Sequence, residues 1–138
     1  MLTNSDIDVL SHVHLTKHFT LGEMLESSYL AWQSYPDAKQ LLNLLYLCWK
    51  LEVVRTCLNR PIIITSGFRS AELNEKVGGV NSSAHTLGYA ADFPCSEAEF
   101  NRLRLFVTFD QLIFYKKRCF CHIGLADNCR QQVIIYNS

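Results

Sequence analysis

Neither sign of charge dominates this chain, whose 138 residues carry 13 Lys and Arg against 13 Asp and Glu. With no basic stripe there is no electrostatic footprint for nucleic acid or an anionic membrane, so neither is expected as a partner. No apolar run approaches the roughly 18 residues of a membrane span, so membrane insertion is not expected either. The opening residues Met1-Leu2-Thr3-Asn4-Ser5-Asp6-Ile7-Asp8 lack the basic and apolar regions of a secretory leader, which predicts synthesis and folding in a cytosol. Repeats and low-complexity segments are also missing. The length suits one ordinary domain over 1–138, with residues 1–18 as an amino-terminal arm and a monomer as the expected state. Cysteine is not scarce. In a cytosol, however, Cys48, Cys57, Cys95, Cys119, Cys121 and Cys129 read as reduced, mostly buried small hydrophobes rather than a disulfide framework.

Punctuation along the chain predicts an α+β fold. Thr20 with Glu23 three residues later forms a capping-box pattern that opens a short helix to about Tyr29. Asp37 caps a long helix to about Asn59, in which Leu41, Leu44, Leu45, Cys48, Leu51 and Val54 recur at helical spacing. Pro61 to Thr65 is β-branched and bounded by Pro and Ser-Gly, as a buried strand would be. Ser70 caps a helix to about Val77, and Gly78-Gly79 ends it. The stretch from Val80 to Thr86 reads as loop, Tyr89 to Phe93 as strand and Ser96 to Phe106 as helix. Phe109 to Tyr115, Cys119 to Leu125 and Gln132 to Tyr136 read as three further strands. This order of elements predicts helices packed on a small antiparallel sheet.

Within that frame, Ser83-Ala84-His85-Thr86-Leu87-Gly88-Tyr89-Ala90-Ala91-Asp92 sets a histidine on a loop and an aspartate on the following strand. Gly88 allows the turn between them, and Ala90 keeps bulk away from the point where they meet. Strand alternation puts His122 on the face opposite Cys121 and Ile123, so a neighbouring strand can offer a third donor. A lone histidine of this kind is more often a hydrogen-bonded residue near the core. Two imidazoles and one carboxylate together match a tetrahedral zinc site with its fourth position open to water, the form of catalytic zinc. Cys119 and Cys121 share the face away from His122, which makes a thiolate nucleophile awkward, and without a second C-x-x-C or histidine pair they are a weak structural-zinc signal. His12, His14 and His18 read as a solvated or locally bonded arm.

The ordered set His18-Phe19-Thr20-Leu21-Gly22-Glu23, Arg60 to Ser70, Leu73-Asn74, Val77 to Val80, the S-x-H-x-x-G-x-A-x-D element, Phe109 to Ile113 and His122-Ile123-Gly124 resembles a known family. It is the zinc D-Ala-D-Ala carboxypeptidase and peptidoglycan endopeptidase family, in its short, phage-associated branch. The resemblance implies the small α+β fold shared with the hedgehog signalling domain and a zinc ion held by His85, Asp92 and His122. It implies that Arg69 binds substrate carboxylate or carbonyl oxygen, a task suited to a planar guanidinium. It further implies hydrolysis of peptidoglycan stem or cross-link peptides, by a protein that reaches the wall after release from the cell or travels in a virion.

The chain departs from that pattern at one point. Where the resemblance implies a carboxylate that moves protons, the sequence has Cys119 three residues before His122, and Tyr115 shortly after the Asp110-Gln111-Leu112-Ile113 element. Asp110 is the nearest acidic residue, although alternation sets it on the face opposite Tyr115. Tyr115 is then expected either to donate a hydrogen bond to the oxyanion or to pack on the sheet. Loss of such a group costs a hydrolase about 10² to 10⁴ in rate, so a catalytically impaired zinc-binding domain is the alternative reading.

Overall fold

The computed structural model describes residues 1–138. Four strands make one sheet in the order β1-β3-β2-β4: β1 is Ala90–Pro94, β2 Gln111–Tyr115, β3 Phe120–Gly124 and β4 Gln132–Tyr136. Six helices accompany it: α1 (Asn4–Leu10), α2 (Leu21–Leu25), α3 (Ala38–Leu58), α4 (Ala71–Lys76), α5 (Ala84–Leu87) and α6 (Glu97–Phe106). No helix is long and apolar enough to cross a membrane.

Strand alternation gives the sheet two chemically different faces. Ala91, Phe93, Leu112, Phe114, Cys121 and Ile123 belong to the main core, with Leu44, Leu47, Cys48, Leu51 and Val54 of α3 and Phe100 and Leu103 of α6. Phe100 stacks on Phe114 with ring centroids 5.1 Å apart. The other face carries Asp92, Ile113, Tyr115, Phe120 and His122. Antiparallel pairing sets Asp92 directly opposite His122, and His122 opposite Ile113. One face therefore fixes the strands by burial while the other is left free for chemistry.

The architecture is the α+β one that the sequence predicts, with differences that have local causes. The sheet is mixed rather than wholly antiparallel, because β4 runs parallel to β2. The chain leaves β3 at Gly124, beside Gln111 at the start of β2, and both edges of β3 are already paired. Residues 125–131 turn back at that same end, so the next strand starts level with β2 and must share its direction. Residues 61–65 alternate in burial, with Ile62 and Ile64 turned inward, but they form no strand. Only Thr65 and Ser66 reach β1, through Thr65 N to Asp92 O at 2.9 Å and Asp92 N to Ser66 O at 2.8 Å. On α3 the buried stripe is Leu44, Leu47, Cys48, Leu51, Val54 and Leu58, whereas Leu41 and Leu45 lie at its exposed margin. The amino-terminal residues contain α1, opened by a Thr3–Asp6 capping box.

Candidate metal centre and cleft

His85 sits on a one-turn helix, α5, rather than on the loop predicted for 80–86. So short a helix has no stability of its own, and neighbours must hold it. Ser83 caps it, Gly88 ends it at φ +80°, and a side chain at Gly88 would meet the Gln40 carbonyl at 2.6 Å. From α3, Gln40 Nε2 donates to Thr86 O at 3.0 Å and Asn43 Nδ2 to Leu87 O at 2.8 Å. His85 itself is buried, and its Nδ1–H donates to the Gly67 carbonyl at 2.7 Å. Because a carbonyl only accepts, that bond leaves Nε2 as the free lone pair of the neutral ring.

This Nε2 faces Asp92 Oδ1 at 3.3 Å, and the same oxygen lies 2.8 Å from His122 Nδ1. One donor atom from each of the three residues falls within 4.8 Å of the others. Burial keeps His85 below the usual histidine pKa although Asp92 pulls the other way, so its neutral form is favoured. Burial alone would raise the Asp92 pKa; the two imidazoles beside it, with His122 Nδ1 at hydrogen-bonding distance, outweigh it and hold the carboxylate well below its usual range. A neutral imidazole lone pair pointed at an ionised carboxylate in a buried place is repulsive unless a cation lies between them. Donors about 2.0–2.1 Å from a tetrahedral ion stand roughly 3.3 Å apart, so the trio has the spacing and ligand types of a zinc site.

Arg69 borders the same point. Its backbone N–H donates to His85 O at 3.1 Å, and its Nη2 lies 3.9 Å from Asp92 Oδ2. Nε donates to Ser66 Oγ at 3.2 Å and Nη1 to Asn74 Oδ1 at 3.2 Å, while Asn74 Nδ2 donates to the Val80 carbonyl at 2.8 Å. Metal donors and guanidinium open together into a cleft of about 870 Å³ that also takes in Asp110, Tyr115, Arg118 and Arg130.

The sequence profile of the family described as Peptidase M15 matches residues 17–124. The chain belongs to the Peptidase M15 family. It is also similar to the zinc D-Ala-D-Ala carboxypeptidase of Streptomyces albus G, at 43% identity over 51 residues. That stretch is 36% of this chain and spans only 20% of the relative. Within the Peptidase M15 match lie His85, Asp92, His122, Arg69, Asp110 and Tyr115; Arg130 falls outside it.

The remaining sequence candidates in this Peptidase M15 chain are distributed unevenly around the donors. Tyr115 shares the sheet face of Asp92 and His122, and burial, then the Asp92 charge, raises its phenol pKa, so it keeps its proton. Asp110 reaches the cleft wall but is already engaged. Its Oδ1 accepts from Arg130 Nε at 2.9 Å and its Oδ2 from Arg130 Nη2 at 2.9 Å, and these bonds lower its pKa. Cys119 is exposed, has φ +52° and turns its thiol to the Lys116 carbonyl, while Cys121 is buried in the core. In the amino-terminal region His18 Nδ1 pairs with Glu52 at 2.6 Å. Gln40, Asn43 and Asn74 are the supports that sequence reasoning missed. Each is a polar side chain answering a backbone carbonyl or a guanidinium brought near only by folding, and no spacing rule announces it.

Proposed function

We propose that this chain is a zinc-dependent peptidase that cuts a peptide bond in the stem or cross-link peptides of bacterial peptidoglycan. The observation that carries the proposal is the meeting of His85, Asp92 and His122 beside Arg69 in one cleft. Family membership supports the reaction type, and the name of the Streptomyces relative supports the metal and the substrate class. Zinc, when bound by the three residues, supplies a Lewis acid for a carbonyl oxygen and an activated water. Arg69, held by Ser66 and Asn74, presents its guanidinium to the substrate carbonyl or terminal carboxylate. Tyr115, protonated and on the same face, donates a hydrogen bond to the oxygen on which charge develops. Asp110 is the one other carboxylate on the cleft wall, and its pairing with Arg130 makes it a weak base. The protein meets the wall after release from the cell that makes it, or as part of a virion, and works as a monomer.

A second reading, a zinc-stabilised domain with a structural or wall-binding role, is favoured by one feature. Neither Tyr115 nor Cys119 offers the carboxylate that the resemblance implies near the metal. Incubation of the purified protein with peptidoglycan sacculi separates the two readings. Release of new amino groups that stops with chelator and returns with zinc supports the peptidase; stoichiometric zinc binding with no release supports the second reading.

A further inference from the structure

Three arginines line the cleft, and two of them have anionic partners. Arg130 is clamped to Asp110, and Arg69 is held by Ser66, Asn74 and Asp92. Arg118 makes no hydrogen bond or ion pair, yet it is not left to wander. Its guanidinium carbon stands 4.9 Å from the centre of the Tyr115 ring and 5.0 Å from that of Phe120. Those rings stack on each other at 4.3 Å with 10° between their planes. A guanidinium attracted to an aromatic face keeps its N–H donors directed outward in its own plane, ready for a forked acceptor.

The platform belongs to the floor of the metal site. Phe120 is two residues from His122 on β3, hence on the same face, and Tyr115 is its partner across the ladder. Two residues of strand span roughly 7 Å, and an extended ligand lying along the floor advances at a similar rate. The charges in the cleft point the same way. Asp110 answers Arg130 and Asp92 answers Arg69, which leaves the Arg118 charge over.

We propose that Arg118, seated on the Tyr115–Phe120 platform, is a second carboxylate-binding subsite, reading a carboxylate about two residues from the bond held at the His85–Asp92–His122 centre. It rests on the peptidase reading and narrows the substrate class to peptides with an internal acidic group. Arg118 is a specificity residue, remote from the reacting atoms.

The test uses the zinc-loaded full chain and pairs of synthetic peptides with an uncleavable bond. The members of a pair differ only in a carboxylate or carboxamide two residues to one side of that bond, and both sides are sampled. Titration calorimetry should show wild type preferring one carboxylate peptide by about fivefold, the size of one exposed charge-assisted contact. The preference should vanish in Arg118→Gln and partly return in Arg118→Lys, with unchanged affinity for the carboxamide peptide and unchanged melting temperature. An unaltered preference in Arg118→Gln overturns the inference, as does equal binding of both peptides by wild type; either result leaves the peptidase reading standing. If wild type binds neither peptide, both proposals fall.

Discussion

At Asp92 one carboxylate answers three neighbours: His85 Nε2 at 3.3 Å and His122 Nδ1 at 2.8 Å through one oxygen, and Arg69 Nη2 at 3.9 Å through the other. Removing either imidazole takes away a ligand that the rest of the site cannot replace. His85→Ala and His122→Ala should each lose stoichiometric zinc, as measured by elemental analysis after gel filtration. Arg69 touches the same carboxylate without being a metal donor. Arg69→Ala should keep its zinc and lower kcat about 10²-fold, the usual cost of one oxyanion donor. A different kind of residue effect is found at Glu99, where Arg60 Nε donates at 2.6 Å and Nη2 at 3.0 Å. Those bonds from Arg60, more than the Ser96 N–H of the capping box, lower the Glu99 pKa from 4.5 to about 2. A depressed carboxylate stabilises the fold above its unfolded pKa and loses that contribution as pH falls through the folded one. The advantage of wild type over Glu99→Gln in urea melts should therefore be full at pH 7 and shrink between pH 4.5 and 2. An advantage that stays constant across that window would remove Arg60 and Glu99 from the account of acid stability.

Among the elements, α5 depends most on its surroundings. Four residues make too little internal hydrogen bonding to persist alone, so the position of His85 is set by Gln40 and Asn43 on α3, by the Gly67 carbonyl and by the sheet. The long helix thus serves the core with one side and the metal donor with the polar residues at its start. Asn43→Ala should leave the Leu87 carbonyl without its donor and let α5 shift. Zinc affinity, measured by competition with a chromogenic chelator, should fall about tenfold, with a loss of roughly 1 kcal/mol in stability. Four helix starts were legible in the sequence because a cap is a local event: Thr20, Asp37, Ser70 and Ser96 all accept from the backbone three residues on, whereas the equally local Thr3–Asp6 box of α1 lies in residues read only as an arm. The one-turn helix was not, since Ser83 accepts from His85 N only two residues on and the rest of its support comes from distant segments. Residues 61–65 misled for the opposite reason. Their β-branched composition reports burial of Ile62 and Ile64, which an extended chain achieves without a ladder.

Across the whole molecule, the candidate donors come from three places, α5, β1 and β3, and a metal ion held by them would join the three. Asp92 and His122 are already bound together by the β1–β3 ladder, so the ion adds little there. His85 is different: it sits on α5, outside the sheet, and a shared ion would fasten it to both strands. The donor types and the two-strand arrangement were legible from spacing and alternation, whereas the parallel addition of β4 was not, because it depends on which sheet edge is still free once β3 has paired. Metal binding to the folded chain, with little affinity for the unfolded one, raises stability by mass action. At free zinc a hundredfold above its Kd the gain is about 2.7 kcal/mol, which for a chain of this size corresponds to a rise of roughly 8 °C in Tm. Calorimetry of the chelated and zinc-reconstituted protein should show that rise, and His122→Ala should show almost none. Limited proteolysis should report the same linkage locally: residues 78–88 should be cut faster after chelation, while the β1–β3 ladder stays intact. Equal Tm with and without zinc, together with an unchanged cleavage pattern, would mean that the ion does not tie α5 to the sheet.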